Sequence, residues 1–290
     1  LSDIGMSARL FFDGRHPDSS RFSIYKCSLG GEGTRIDLQG TISDLTGGNP
    51  LADLRLQVDA DLTAAGRSIG ILRAYSPHGR ITTDTRMRFR ISDATRSGLT
   101  DICLNGKIRL DTASLSPAAA TAVSARHLEV DFTAAANRLS DRILENGMLA
   151  VKASADMVSI KGNACRASLR GLAVTSRDDS RHTFVFSSGA KAPLMFQFDM
   201  QAAGATLDMP DDTLHIEATG VTGINRFSGG EANARLRARC VSMRLNGTDI
   251  SVCVADLSGN FSLADTLHDI RPDHIHADTS PADRQGLATA

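Results

Sequence analysis

Two groups of residues in this chain have types and spacings that could carry chemistry. The first lies near the C-terminus, where His268-Asp269 and Asp273-His274-Ile275-His276-Ala277-Asp278 bring imidazoles and carboxylates together at short range. These are donors of the kind that bind a divalent metal. Nothing in the spacing fixes a coordination geometry, and a polar, proline-containing tail reads as solvated coil, so no metal site is assigned. The second group is a cysteine pair. Of the five cysteines, at 27, 103, 165, 240 and 253, none makes a C-x-x-C motif, which argues against a zinc ribbon or a thioredoxin-type centre. If Asn246-Gly247 closes a two-residue hairpin, Val241 opposes Val252, Met243 opposes Ile250 and Arg244 opposes Asp249. The same register sets Cys240 against Cys253 at a non-hydrogen-bonded rung, where Cα atoms approach to about 4.5 Å, the short end of the range a disulfide spans.

Other reactive residues lack a setting. His127, His182 and His215 fall inside strand-like runs and read as surface or rim residues. There is no G-x-S-x-G elbow to expose a nucleophile and no H-E-x-x-H pair to hold a metal-bound water. Gly229-Gly230 has no lysine and no helix after it, so a phosphate-cradling loop is not supported. The expectation is a non-catalytic protein without a cofactor. The 32 basic and 33 acidic residues interleave to a net charge of -1, leaving no basic patch for nucleic acid or anionic lipid heads. No run approaches the ~18 apolar residues of a membrane-spanning helix. The opening LSDIGMSARL lacks the basic-then-apolar pattern of an export signal.

The elements that would position any site are strands. In Thr34 to Leu62, Ile36, Leu38, Gly40 and Ile42 share one parity against Arg35, Asp37, Gln39 and Thr41. Leu54, Leu56, Val58, Ala60 and Leu62 then alternate with Arg55, Gln57, Asp59 and Asp61, and Thr46-Gly47-Gly48-Asn49-Pro50 turns the chain between the two runs. Period-2 alternation of this kind marks a sheet that is apolar on one face and wet on the other. Arg21 to Leu29 is a further strand whose parity drifts after Ile24. Met87 and Phe89 continue the apolar parity, as do Ile102, Leu104, Gly106, Ile108 and Leu110. Asn105-Gly106 resembles a hairpin turn, but folding there would set Ile102 against Arg109, so phase predicts an unbroken strand. Ala118 to Ala125 reads as loop or helix, and Asn137 to Asn146 has helical spacing that Gly147 would stop. Later strands are expected at 149–160, 165–174, 182–187, 194–202 with Phe196, Phe198 and Met200 in phase, 214–219, 235–245 and 248–257. All eight prolines lie between or at the edges of these runs. From about residue 265 the pattern dissolves, which divides the chain into a repeating segment, 1–264, and an irregular tail, 265–290.

Ile102-x-Leu104-x-Gly106-x-Ile108 copies Ile36-x-Leu38-x-Gly40-x-Ile42, and Val158-Ser159-Ile160 is echoed by Val241-Ser242-Met243. Weak repeats of strands suggest an array. Alternating strands also suit a β-sandwich or β-helix with a sealed core, the fold of a structural or adhesive repeat protein. Against a thick core stand the absence of Trp, the presence of only 2 Tyr, and the lack of a Cys…Trp…Cys core of the immunoglobulin type. The expected fold is therefore all-β: an elongated, twisted, mainly antiparallel sheet of roughly 12 to 15 strands curled into a repeating β-groove.

The I-x-L-x-G-x-I strands at 36–42 and 102–108, the phrase Gly40-Thr41-Ile42-Ser43-Asp44-Leu45-Thr46 before Asn49-Pro50, and the run Asp53 to Leu62 resemble the AsmA/TamB-like envelope proteins, particularly the long TamB-type forms. The likeness is one of style and covers most of residues 1 to 260. It implies a groove that is anchored in the inner membrane of a diderm bacterium, crosses the periplasm and carries phospholipid in outer-membrane assembly. The chain shows neither the anchor helix nor the C-terminal domain of that family, and is expected to be an internal segment that joins neighbouring groove segments of a longer chain. Its implied partners are phospholipid acyl chains and components of both membranes. The lining would be Ile36, Leu38, Ile42, Leu54, Leu56, Val58, Met87, Phe89, Ile102, Leu104, Ile108, Leu110, Phe196, Phe198, Met200, Val241, Met243, Ile250 and Val252. An oxidising periplasm would permit the Cys240–Cys253 bridge.

Overall fold

In the computed structural model the alternating runs are strands of one antiparallel sheet. The structure describes residues 3–16, 19–68, 75–92, 98–118, 121–140, 143–145, 147–176, 184–186, 195–209, 213–228, 231–262 and 276–278. The elements are β1 (Asp3–Phe11), β2 (Arg21–Gly31), β3 (Thr34–Ser43), β4 (Leu51–Asp61), α1 (Leu62–Ser68), β5 (Arg80–Ser92), β6 (Gly98–Ala118), β7 (Thr121–Ser140), β8 (Ile143–Glu145), β9 (Gly147–Lys161), β10 (Arg166–Thr175), β11 (Phe184–Phe186), β12 (Met195–Met209), β13 (Leu214–Ser228), β14 (Glu231–Leu245), β15 (Thr248–Ser262) and β16 (His276–Asp278). They form a meander from β1 to β16, with β8 beside β7 and β11 bridging β9 and β12. The sheet does not close on itself. It is an elongated, twisted groove whose fourteen path strands, at ~4.8 Å each, extend about 60 Å.

The groove is one layer thick. Every substantial contact between elements runs between neighbours in the sheet or along the chain, so among the described residues no second sheet packs face to face with the first. What is buried is small: Ala52, Ala60, Ala113, Ala155, Ala202 and Ala238, joined by Val221 and Ile102. Burial here is lateral, by flanking side chains in the same face, which is why the chain needs no Trp.

Register brings like to like. Ile36 faces Val58, Leu38 faces Leu56 and Ile42 faces Ala52. Leu54 faces Met87, which faces Leu104, and Ile108 and Leu110 face Val130 and Leu128. The glycine shared by the two I-x-L-x-G-x-I strands clears space in both. A Cβ at Gly40 would lie 2.2 Å from the Asp53 carbonyl oxygen, and one at Gly106 would meet Thr85 Oγ1 and the Phe132 ring below 3 Å. The drift of parity after Ile24 is a β-bulge: Ile24 faces Gly40 but Cys27 faces Leu38, so β2 carries one residue more than β3 there.

A coherent slip crosses the second half of the sheet. His127, Gly171 and Gly220 have φ of 49°, 58° and 60° and lie in one row, with Asp156 between the first two and Ala203 between the last two. The pairing ladder skips this row from β6 to β15, yet the register on either side is unchanged. Each strand changes sides here together with its neighbours. One apolar cluster accordingly holds residues three apart in sequence, Ala202 with Ala205, Ala218 with Val221, and Ala238 with Val241. We call this row the crease. Beside it the echoed triplets fall into the same three rows, since Val158 aligns with Val241, Ser159 with Ser242 and Ile160 with Met243 through β10, β12 and β13.

Several expectations need correction. The helix over Asn137 to Asn146 is not formed: β7 runs to Ser140 and Ile143–Glu145 pairs back on it as β8. In the Ala-rich 118–125 stretch the described residues are neither helical nor looped, since Ala118 ends β6 and Thr121 begins β7. Lateral pairing overrides local propensity in both. Conversely, Leu62 does not extend β4 but opens α1, capped by the Asp61 carboxylate, which accepts from the Ala64 N–H at 3.0 Å. Pro117 lies within the last two residues of β6, where the register to β7 shifts. In the tail, His276–Asp278 pairs with β15 as β16, whereas His268, Asp269, Asp273 and His274 lie outside the described residues, as do His182 and Gly229-Gly230.

The crease makes a quantitative demand on backbone conformation. Gly171→Val and Gly220→Val, which force a β-branched residue to positive φ and press its Cβ to 3.1 Å from Ala203 and Arg239, are each expected to destabilise the protein by about 1–2 kcal/mol or more in urea unfolding. Gly48→Ala, with nothing within 4 Å, should leave the midpoint unchanged.

Candidate functional site: the apolar face

The residues expected to line the groove lie on one face of the sheet. Ile36, Leu38, Ile42, Leu54, Leu56, Val58, Met87, Phe89, Leu104, Ile108, Leu110, Phe198, Met200, Val241, Met243 and Val252 are half-buried, Ile102 is buried, and Ile250 is 46% exposed. Phe196 sits in β12 opposite Phe227, with its side chain outside the described set. Rows across the strands are more uniform than the strands themselves. Ala125, Val158, Leu169, Ala205, Ala218, Val241 and Val252 make one continuous row. Val123, Ile160, Ala167, Leu207, Ile216, Met243 and Ile250 make the next on that face. Most of these members were missed in the sequence because the slip at the crease breaks each strand's alternation.

Between those two rows, on the opposite face, runs a line of polar residues: Ser114, Ser124, Ser159, Ser168, Thr206, Glu217, Ser242 and Ser251. Hydroxyls bond across it, Ser124 to Ser159 and Ser168 to Thr206, both at 2.7 Å. Nearer the N-terminus this face is charged. Arg55 stands directly opposite Arg86, a like-charge rung, but each guanidinium turns to the diagonal carboxylate: Arg55 to Asp84, and Arg86 to Asp53 at 2.7 Å. Arg80 pairs with Asp59 at 2.6 Å in the same way. These hydrogen bonds hold the Asp53, Asp59 and Asp84 carboxyls below the usual range. Hollows also open on the charged face. One of about 850 Å³ lies among Arg35, Asp37, Asp84, Lys107, Arg109 and Asp131.

Of the histidines, His127 has an environment. It stands in the crease between Asp111 on β6 and Asp156 on β9, with Nε2 at 3.0 Å from one carboxylate and Nδ1 at 2.7 Å from the other. The hydrogen bond to Asp156 raises the imidazole above its ordinary 6.5, and the same bond lowers Asp156. With both nitrogens within hydrogen-bond reach of carboxylates, the ring in its protonated form ties three strands together. His215 contacts the Asp208 carboxylate directly across β12 and β13. Cys240 and Cys253 face each other as the hairpin register requires, Sγ to Sγ 3.5 Å. Among the described residues no group of three or more His, Cys, Asp or Glu side chains is arranged to hold a metal ion, and no helix is long and apolar enough to cross a membrane.

No family model, curated protein or solved structure matches this chain. The fold itself defines the class: a single-layer, open, antiparallel β-groove with one apolar and one charged face.

The His127 cluster predicts a pH dependence. A raised histidine stabilises the fold fully below its unfolded value of 6.5 and loses that contribution as pH rises through the folded value. The lowered Asp156 contributes above 3.8 and loses its share as pH falls through its folded value. The contact is therefore strongest between these limits. In an NMR titration the His127 ring should deprotonate above 6.5, and Asp156→Asn should lower its midpoint. An unchanged midpoint in the variant would remove the coupling.

Proposed function

We propose that the protein is a non-catalytic hydrophobic conduit, a groove segment that holds phospholipid acyl chains on its apolar face during transport between membranes and outer-membrane assembly. One observation carries the reading: apolar rows that run across successive strands of a single-layer sheet, with no second layer over them among the described residues. Such a face offers acyl chains burial at about 25 cal/mol per Å² while presenting no ionisable group that would select a polar substrate. Full burial of Ala52 on an uncovered face is what side chains converging on the inside of a curl would produce. The hollows on the other face, walled by arginine, lysine and aspartate, would charge a desolvation penalty to a hydrocarbon chain and are not the proposed path. The resemblance to AsmA/TamB-like proteins supports the same reading. It suggests a periplasmic location in a diderm bacterium, an inner-membrane anchor supplied by another part of a longer chain, neighbouring groove segments at the ends, and components of both membranes as partners.

The test uses photo-crosslinking residues at Leu56 and Leu104 of the full-length protein in cells, and should capture phospholipid at both. Leu56→Asp and Leu104→Asp should obstruct the path, since a charge among acyl chains costs several kcal/mol. Asn105→Asp, on the charged face, should be tolerated. Unfolding melts run beside these assays separate a blocked groove from a lost fold. Folded, abundant protein that captures no lipid at either position would end the conduit reading.

A further inference from the structure

We propose that Cys240 and Cys253 form a reversible thiol–disulfide site that staples β14 to β15 beside the crease. The hairpin between these strands is closed by Asn246 and Gly247 at φ 50° and 83°, the conformation of a two-residue turn with both central residues left-handed. Its closing rung, Leu245 with Thr248, is hydrogen-bonded, and alternation from there makes Cys240 with Cys253 a non-hydrogen-bonded rung, where the side chains approach most closely. The sulfurs lie 3.5 Å apart, so a bond of about 2.05 Å requires a small side-chain adjustment and no change of register.

Location gives the bond a purpose. The β14–β15 ladder runs unbroken from the turn to this rung and then skips Arg239 and Val254. Cys240 and Cys253 are thus the last rung before the crease, where lateral pairing lapses. The cysteines stand on the face away from Val241 and Val252, so a disulfide there leaves the apolar rows untouched. Cys253 is exposed and Cys240 half-buried, which orders the chemistry. The other cysteines have no such partner across their ladders. Cys27 faces Leu38 and Met6, and Cys103 faces Arg88 and Ala135.

The oxidant is a small-molecule or protein disulfide. The Cys253 thiolate attacks one sulfur of that disulfide, forming a mixed disulfide and releasing one thiol. The Cys240 thiolate then displaces the second thiol, closing the Cys240–Cys253 bond. Two protein thiols are oxidised by two electrons, one external disulfide is reduced to two thiols, and excess dithiol reverses both steps.

The experiment treats the folded full chain with glutathione disulfide, traps remaining thiols by alkylation and maps peptides without reduction. The expected result is a Cys240–Cys253 crosslink. Cys240→Ser should stop at a stable glutathione adduct on Cys253. On oxidation, amide exchange in β14 and β15 near the rung should slow by roughly tenfold or more, as closing a short loop predicts, and dithiothreitol should restore it. Recovery of both cysteines as alkylated thiols, a lasting glutathione adduct on Cys253 of the native chain, or linkage of either residue to Cys27, Cys103 or Cys165 would overturn the proposal. Should Cys240→Ser fail to fold, the crosslink map and exchange in the native chain decide alone.

Discussion

Everything in this molecule rests on lateral hydrogen bonding between adjacent strands. A β-sandwich gains most of its stability from two apolar faces pressed together, whereas a single layer has only the ladder and the side chains flanking each position in the same face. Row composition therefore matters more than strand composition. A residue is buried, if at all, by its neighbours on the same face, along its row and in the rows on either side, and the buried positions are mostly alanines hemmed by larger neighbours. The row through Ala202, Val221 and Ala238, packed against Leu169, Met200 and Val241, is the nearest thing to a core in the second half. A change at one position is felt by two neighbouring strands and little beyond.

The charged face obeys the same constraint. With Arg55 opposite Arg86, a rigid rung would repel; the long guanidinium arms reach instead to carboxylates one step along the partner strand, giving two crossed pairs from four residues. Exposed pairs of this kind add little stability singly. Their value lies in register, because a slip by one residue would set arginine among the apolar side chains and leucine among the charges. His127 does comparable work at the crease, where the backbone ladder lapses and Asp111, His127 and Asp156 supply a polar link across three strands.

Much of the architecture was legible because alternation is a strong signal where it is unbroken. Ile36 to Ile42, Leu54 to Val58 and Ile102 to Leu110 gave the strands, the shared face and the unbroken run through Asn105-Gly106. The Asn246-Gly247 turn gave the register of β14 and β15, including Cys240 opposite Cys253. What escaped was the coherent slip. The strands expected at 194–202 and 214–219 stop where Ala203 and Gly220 enter the crease, although the chain continues as strand to Met209 and Ser228. A parity rule applied to one strand reads the slip as an ending, and only the neighbours' matching slips show that pairing resumes. For the same reason the Asp111–His127–Asp156 cluster and the hydroxyl row could not be seen, since their members are brought together by register across strands far apart in sequence.

Because the slip is shared, the strands are not independent units. An extra residue in one strand alone would be a bulge that bends that strand and breaks the ladder on both sides. Placed in the same row of each path strand from β6 to β15, it preserves pairing and turns a local defect into a line along the sheet. That line keeps the apolar rows on one face on both of its sides, as the joint packing of Ala218 and Val221 requires. A hydrocarbon chain moving along the sheet axis would then meet the same kind of surface at each strand, about every 4.8 Å, with no charged residue among the described members of those rows. For the proposed conduit, uniform rows serve better than a closely fitted pocket, because specific contacts that hold one lipid tightly would also slow its release.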